Sequence, residues 1–383
     1  MSLVELMIAM VIGLIVMLGV VQVFSASREA YRLSEGLARV QENSRFAMDS
    51  LQRDLRMAGH FGCINDQAHT LQNPGSLYST LNISANPSLD FTHSIQGYEA
   101  NDTEPGKAVA LSTTPTTGGT AYSPALPSDV AAALTNRVDG SDIVALRFLM
   151  PDGVPVTSIA GDAQRPVFNF DASRLAVLQS GVTNAGLFGV ADCLSATVFQ
   201  ARAVDTGAAS VTFGDAPNNA GVFTSLYTTG QAMLYRAESI VLYVGYDADT
   251  AQSSLYRVRF SAGPNGNLIV GTPEALVEGV ENLQLLYGQD RQLTSVSPTG
   301  YIDRQGTAKD VQESMSDPVA AWRRVGAVQL GMVVSSPDPS SAKQATGDAA
   351  LTTMGVTFTA PSDGRLRAVY QSTVAIRNRL FGN

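Results

Sequence analysis

The chain has 383 residues, of which 45% are hydrophobic and 15% are charged, and its net charge is −9 at pH 7. A chain of this length can bury a sizeable core in one large or two modest domains. The acidic balance excludes a typical nucleic-acid groove, because such a groove needs clustered lysine and arginine to neutralise phosphates.

The first predicted element is an apolar helix at the start of the chain. From Leu6 to Ser27 there are 22 residues without a charge. As a helix this run is about 33 Å long, which is enough to cross the hydrocarbon layer of a bilayer. Glu5 stands at the edge of the run, where a carboxylate is expensive to bury and therefore implies a function and a partner.

The letters around this acid are informative. Met1-Ser2-Leu3-Val4-Glu5-Leu6, followed at once by the apolar helix, resembles the mature N-terminus of type IV pilins. In that family a peptidase removes a short basic leader and methylates the new terminal amine. The resemblance implies that Met1 is the processed, N-methylated residue and that Glu5 pairs with the terminal amine of a neighbouring subunit. An acid and an ammonium that meet in a low-dielectric core offset each other's desolvation.

The same resemblance implies that the apolar helix packs against other helices in a filament core. The expected packing residues are Leu3, Leu6, Gly13 and Gly19, since glycine lets helices approach closely in membranes. A secretory signal peptide is the first alternative, with a cleavage site at residues 25–27, but no lysine or arginine precedes Arg28 and the apolar core is too long. An ordinary signal anchor is the second, and it gives no reason for Glu5.

The next stretch is amphipathic. Apolar residues recur on one helical stripe, which predicts that the helix continues to Ala58 and stops at Gly59: Leu33, Leu37, Val40, Ala47, Leu51, Leu55 and Ala58. The whole rod is then near 87 Å long. We expect residues 1–27 to be its transmembrane half, residues 28–58 its amphipathic half and residues 59–383 a β-rich extracytoplasmic head.

The segment QENSRFAMDSLQRDLRMAGHFGC, which ends at Cys63, resembles the helix end and first turn of PilW-like minor pilins. Cys63 and Cys193 are the two cysteines of the chain, and a single disulfide is their simplest use in an oxidising compartment. Two buried free thiols are the alternative. His60, His69 and His93 do not follow a zinc-ligand spacing, so we expect no metal and no cofactor there.

Strand patterns dominate the rest of the chain. They are predicted at IVALRFLM, SATVFQARAV, SIVLYVGY and LYRVRF. The stretches WRRVGAVQLGMVVSS and GRLRAVYQSTVAIRNRL are similar to the last two strands of PilW-like pilins. Ser128 and Asp129 are expected to cap a short helix through Asn136. Residues 64–128 and 151–190 look largely irregular. The phrase EALVEGVENLQLLYG is similar to a signature of PilW-like pilins and of the J-type minor pseudopilins of type II secretion.

Two polar groups remain as candidate sites. Asp290, Asp303 and Asp310 lie in a loop where relatives often carry calcium-binding acids, but they are scattered, which favours a solvated loop. Four arginines near the C-terminus alternate along the last strand and predict a basic edge, either protective or for docking: Arg365, Arg367, Arg377 and Arg379. Sequence motifs of hydrolases, nucleotide-binding enzymes and metalloproteases are missing, so we expect no enzyme.

Together these patterns predict an α+β pilin fold and a minor pilin that helps to prime type IV pili in a tip complex. The expected partners are other minor pilins, the major pilin and a tip adhesin, with no nucleic acid. The expected location is the inner membrane with the head in the periplasm, then the pilus on the cell surface. A J-type pseudopilin is the nearest alternative, and a membrane-anchored periplasmic enzyme or binding protein is the alternative of another class.

Overall fold

A computed structural model of the chain describes residues 3–64, 77–290, 299–339, 351–376 and 378. The chain begins with a single long helix, α1 (Leu3–Met57), which ends just before Gly59. Gly59 has a φ of 81°, the left-handed conformation that glycine adopts without penalty at a helix C-terminus. The end of the helix predicted from Ala58 and Gly59 is thus confirmed.

The chain then forms short strands up to residue 191: β1 (Leu77–Ser79), β2 (Ile95–Ala100), β3 (Ala108–Ala110), β4 (Tyr122–Ser123), β5 (Ile143–Leu149), β6 (Val154–Pro155), β7 (Ser158–Gly161), β8 (Pro166–Asn169) and β9 (Leu187–Ala191). Small helices lie among them: the 3₁₀ turns Pro87–Leu89 and Ala172–Arg174, α2 (Ser128–Ala133) and α3 (Leu175–Gln179).

Longer strands follow: β10 (Ala196–Asp205), β11 (Ser210–Phe213), β12 (Met233–Asp247), β13 (Gln252–Ala262), β14 (Leu268–Val270), β15 (Glu274–Glu278), β16 (Val280–Asp290), β17 (Ile302–Gly306), β18 (Val325–Ser335), β19 (Leu351–Thr353), β20 (Val356–Thr359) and β21 (Arg367–Ala375). Two helices, α4 (Ala308–Glu313) and α5 (Pro318–Arg323), lie between β17 and β18.

The strands form one large and two small sheets. The large sheet runs in the order β4-β2-β5-β12-β9-β10-β11-β8-β7, and a smaller sheet runs β17-β16-β18-β21. Strand β12 joins two parts of the large sheet, because Met233–Arg236 pair with β9 while residues 237–242 pair with β5. We call the part built from residues 151–232 the distal lobe. Its core is a cluster of phenylalanines that includes Phe168, Phe199 and Phe223.

The second half of α1 packs on the smaller sheet and its neighbours. Val40, Ala47, Leu51 and Leu55 are fully buried and share a core with residues of β16 and β18 such as Leu285 and Leu330. The α+β architecture of a long N-terminal helix followed by a mainly antiparallel β domain is therefore as predicted.

Two local predictions were wrong. Helix α2 ends at Ala133 rather than Asn136, and its N-cap is Pro127; the Asp129 side chain instead accepts from the Ser88 amide at 2.9 Å. Residues 151–190, predicted to be largely irregular, contain β6, β7, β8, β9 and α3. These strands are two to five residues long, so few alternations are available to signal them.

Candidate assembly surface on the N-terminal helix

The first part of α1 is an apolar rod without a covering. Its most apolar 18-residue window has a mean hydropathy of 2.7, and none of that window is buried within the chain. In length and composition the helix is able to cross a membrane. A surface this apolar is unstable in water, so it needs lipid or other protein against it.

The predicted assembly residues lie on different faces of this rod. Each helical residue advances by about 100°, so Leu3, Leu6 and Gly13 fall within about 80° of one another. Glu5 and Gly19 fall within about 40° of each other on a different face. Glu5 is exposed near the helix start, and Met1 lies outside the described residues. The arrangement suits a helix with neighbours on several sides better than one with a single partner.

Gly13 and Gly19 leave small gaps in the apolar surface of the helix. A Cβ built on Gly13 or Gly19 would meet no atom within 4 Å, apart from the helix's own backbone. No contact within the described chain therefore requires glycine at these positions. In a membrane, glycine at such positions lets the backbone of another helix come close.

The head covers the apolar stripe only in part. Leu33 and Leu37 retain 43% and 45% of their exposure, whereas the stripe is fully buried from Val40 onward. Both leucines flank Gly36, which is buried, so the head reaches this level of the helix but leaves the two leucine side chains partly exposed. Phe46, 59% exposed on another side of the helix, adds a third uncovered apolar side chain.

An acid on the buried face fixes the helix to the head. Asp54 lies 3.3 Å from a guanidinium nitrogen of Arg257 on β13, and Arg257 also pairs with Glu274 at 2.9 Å. Burial raises the pKa of the Asp54 carboxyl, and the charge of Arg257 opposes this rise. Sequence reasoning missed this residue, although an acid in the same helical stripe as Ala47 and Leu51 was a visible signal.

Hydrogen bonds hold the second half of α1 on the head. The Asn43 side chain donates to the Glu278 carbonyl at 3.0 Å, and the Gln52 side chain donates to the Ser372 hydroxyl at 2.9 Å. At the helix end the Asn378 side chain donates to the Arg56 carbonyl at 3.0 Å. This last bond satisfies a carbonyl that has no partner within the helix.

The predicted disulfide is present. Cys63, shortly after the end of α1, is bonded to Cys193 in the turn between β9 and β10. The bond therefore ties the C-terminal end of α1 to the distal lobe. It encloses most of the segment that separates α1 from β12.

The metal candidates are used for structure instead. Among the described residues no group of three or more His, Cys, Asp or Glu side chains is placed to hold a metal ion. Asp290 is buried and accepts from the amides of Thr299 and Gly300 at 2.7 Å, so the prediction of a solvated loop was wrong for this acid. Asp310 accepts from the Thr307 amide in a capping box at the start of α4.

The histidines are likewise accounted for by local contacts. His60 Nδ1 lies 2.8 Å from the Leu149 carbonyl oxygen. His93 is buried, with Nδ1 3.6 Å from Asp90. His69 lies outside the described residues.

The predicted basic edge does not form at Arg367. Its guanidinium is buried and makes paired bonds to Glu281 at 2.7 and 2.9 Å and to Asp363 at 2.6 and 2.7 Å. These bonds raise the pKa of Arg367 against the opposing effect of burial. The prediction was wrong because alternation along a strand does not say which face is covered. Arg377 and Arg379 lie outside the described residues.

Comparison with known proteins finds a family match over part of the chain. Residues 241–378 match the family model PilW, described as type IV pilus-assembly protein W. The matched region runs from the second half of β12 through β21 and includes the small sheet on which α1 packs. No curated protein and no solved structure gives a significant match. The PilW-like resemblance drawn from the sequence is confirmed over this region, and the chain is related to type IV pilus assembly.

Proposed function

We propose that this chain, a PilW-like pilin over residues 241–378, is a minor pilin that helps to prime type IV pilus growth in a tip complex. The observation that carries the proposal is the uncovered apolar rod at the N-terminus of a chain with a pilus-assembly region. Before assembly the rod lies in the inner membrane and the head lies in the periplasm. During assembly the rod exchanges lipid for the helices of other minor pilins and of the major pilin.

Glu5 favours contact with neighbouring subunits over contact with lipid. A carboxylate at the edge of the hydrocarbon layer is unfavourable by several kcal/mol, and pairing with an ammonium offsets that penalty. We propose that the terminal amine of a neighbouring subunit is this ammonium and that Met1 provides the equivalent group to the next subunit. Leu3, Leu6, Gly13 and Gly19 supply apolar packing on the faces described above.

The family match also bears on catalysis. The matched family is described by a role in pilus assembly, and we propose no enzymatic activity and no cofactor for this chain. Leu33, Leu37 and Phe46 extend the proposed contact surface beyond the membrane layer, to the level where the heads of neighbouring subunits meet.

The test is a Glu5→Ala variant, expressed from its own gene in a strain that lacks the wild-type copy. We expect surface pili, measured after shearing, to fall at least about tenfold, because a charge-pairing free energy of roughly 1.4 kcal/mol corresponds to a factor of ten. The amount of the protein in the membrane fraction should be unchanged. Glu29→Ala removes another exposed acid of the same helix and serves as the matched control.

Wild-type piliation in the Glu5→Ala strain would overturn the proposal. The deletion strain also separates the pilus from the J-type pseudopilin alternative. Loss of type II secretion with normal piliation would assign the chain to the secretion filament. Sheared filaments from the wild-type strain should contain the chain together with other minor pilins, as identified by mass spectrometry.

A further inference from the structure

The outermost strand of the distal lobe has an open edge. Strand β7 pairs with β8 on one side and ends the strand order of the large sheet, so in the part of the chain that the structure describes no strand covers its other side. An open edge presents unpaired backbone N–H and C=O groups, and soluble proteins usually protect it with charged side chains, proline, a bulge or a very short strand. Strand β7, Ser-Ile-Ala-Gly, has no charged side chain and no proline, so its protection is limited to its length of four residues.

An apolar crevice lies beside this edge. It has a volume of about 130 Å³ and is lined by Ile159, Phe168, Phe223, Leu226 and Tyr227, together with residues of the turn after β7. This is close to the roughly 150 Å³ of an engineered cavity that binds benzene, so one leucine or phenylalanine side chain fits. Phe168 and Phe223 are buried, with ring centroids 5.6 Å apart, and make a rigid wall.

Leu226 stands at the mouth of the crevice with 80% of its surface exposed. An isolated exposed leucine needs no explanation. Here the exposed leucine, the side-chain-sized opening and the open edge occur together. Such an edge gives affinity through main-chain hydrogen bonds, while the adjoining pocket gives specificity for one side chain.

The charge of the lobe indicates the sign of the partner. Residues 151–232 contain six aspartates and three arginines and no lysine or glutamate. Arg165 is already paired with Asp215 at 2.8 Å. Asp162, directly after β7, is exposed, and one of its carboxylate oxygens accepts from the Gln164 and Arg165 amides at 3.0 and 2.7 Å. The surface at the end of the edge is therefore acidic.

We propose that the β7 edge and its crevice bind an extended segment of a partner protein that carries lysine or arginine. The segment adds a strand to β7, places one apolar side chain in the crevice and a basic side chain near Asp162. This site lies outside the region that matches the pilus-assembly family. It is a property of the isolated chain and does not depend on whether the chain enters a filament.

The probe for the test is a library of random twelve-residue peptides displayed on phage and selected on the full-length protein in detergent. We expect the enriched peptides to alternate apolar and polar residues and to include lysine or arginine. Synthetic copies should protect the backbone amides of Ser158–Gly161 from hydrogen exchange. This readout reports strand addition directly and needs no variant.

Variants then locate the site. Leu226→Asp and Ala160→Lys change exposed side chains at the crevice and on β7, and each should weaken peptide binding at least tenfold. Ile269→Asp and Ser34→Lys make the same kinds of change at exposed positions on β14 and α1, and each should alter binding less than twofold. The inference is overturned if no peptide is enriched, if β7 gains no protection, or if the two pairs of variants bind equally.

Discussion

At the scale of single residues, the least expected feature is a buried pair of carboxyl groups. Asp142 accepts from the Ala100 amide of β2 at 2.9 Å and from the Leu285 amide of β16 at 2.8 Å, so it joins the two main sheets. Glu99 lies beside it, buried to 97%. Burial, followed by the charges of Asp142 and Glu104, raises the pKa of Glu99 to about 10, and burial raises the pKa of Asp142 to about 7.

Glu99 is therefore neutral in the folded protein at pH 7, and its side-chain hydrogen bond with Asp142 opposes the rise in the pKa of Asp142. In the unfolded chain Glu99 ionises near pH 4.5, so folding takes up a proton between about pH 4.5 and pH 10. Folding stability is complete below this window and falls as the pH rises through it. The sign is opposite to that of a surface carboxylate in an ion pair.

We predict that Glu99→Gln raises the free energy of unfolding at pH 8 by on the order of 2 kcal/mol, because the amide donates the same hydrogen bond without taking up a proton. The variant should also reduce the slope of stability between pH 6 and pH 9. Urea unfolding of the full-length protein at several pH values measures both quantities.

The control is Glu42→Gln, which changes an exposed acid of α1 whose side chain keeps 57% of its exposure. It should leave stability and its pH dependence unchanged within about 0.5 kcal/mol. An unchanged slope in the Glu99 variant would show that Glu99 is ionised in the folded protein.

At the scale of elements, α1 combines two kinds of apolar side chain that sequence periodicity treats as one. Leu51 is fully buried against the head, whereas Leu37, on the same predicted stripe, is 45% exposed. The period of 3.6 residues predicts the stripe correctly. The period does not predict where along the helix the head begins. That position depends on segments far away in the sequence, such as the end of β15 at Glu278.

The two leucines should therefore respond differently to truncation. Leu51→Ala should lower the free energy of unfolding by about 2–5 kcal/mol through the lost burial and the cavity that remains. Leu37→Ala should lower it by less than about 1 kcal/mol and should instead reduce the amount of surface pili. Urea unfolding of the purified protein and the shearing assay provide the two measurements.

The pair supplies its own control, since both changes remove the same atoms from the same helix. Equal losses of stability would mean that Leu37 is covered within the isolated chain. A stable, normally piliated Leu37→Ala strain would remove this leucine from the proposed contact surface.

The elements also show how far sequence reasoning reaches. The rod, its end at Gly59 and the long strands β10, β12 and β13 follow from periodicity, alternation and glycine, whereas β18 and β21 follow from the resemblance to PilW-like pilins. The short strands of the distal lobe do not, because a four-residue strand such as β7 offers only two residues per face. The burial of Arg367 against Glu281 could not be predicted either, since those partners are 86 residues apart.

At the scale of the whole molecule, the disulfide closes a long loop of the chain. Cys63 and Cys193 are separated by 130 residues. In the chain-entropy model such a bond stabilises the folded state by about 4–5 kcal/mol. The bond stabilises the attachment of the distal lobe to the C-terminal end of α1, because these are the two parts that it connects.

We predict that replacing both cysteines by serine lowers the free energy of unfolding by up to about 4 kcal/mol and makes the distal lobe the first region to be cut by protease. Limited proteolysis followed by mass spectrometry identifies the cut sites, and urea unfolding gives the loss. Dithiothreitol should reproduce the effect in the wild-type protein and have none on the variant. Cleavage first outside residues 151–232 would contradict the prediction.

Strand β12 has a consequence for evolution and for engineering. Because one continuous backbone pairs with β9 of the distal lobe through its first four residues and with β5 through the next six, the lobe is not a removable cassette. A chimera that exchanged the lobe between relatives would have to keep Met233–Asp247 whole and replace only what precedes it. We therefore expect divergence among relatives to be free within the lobe and constrained along β12.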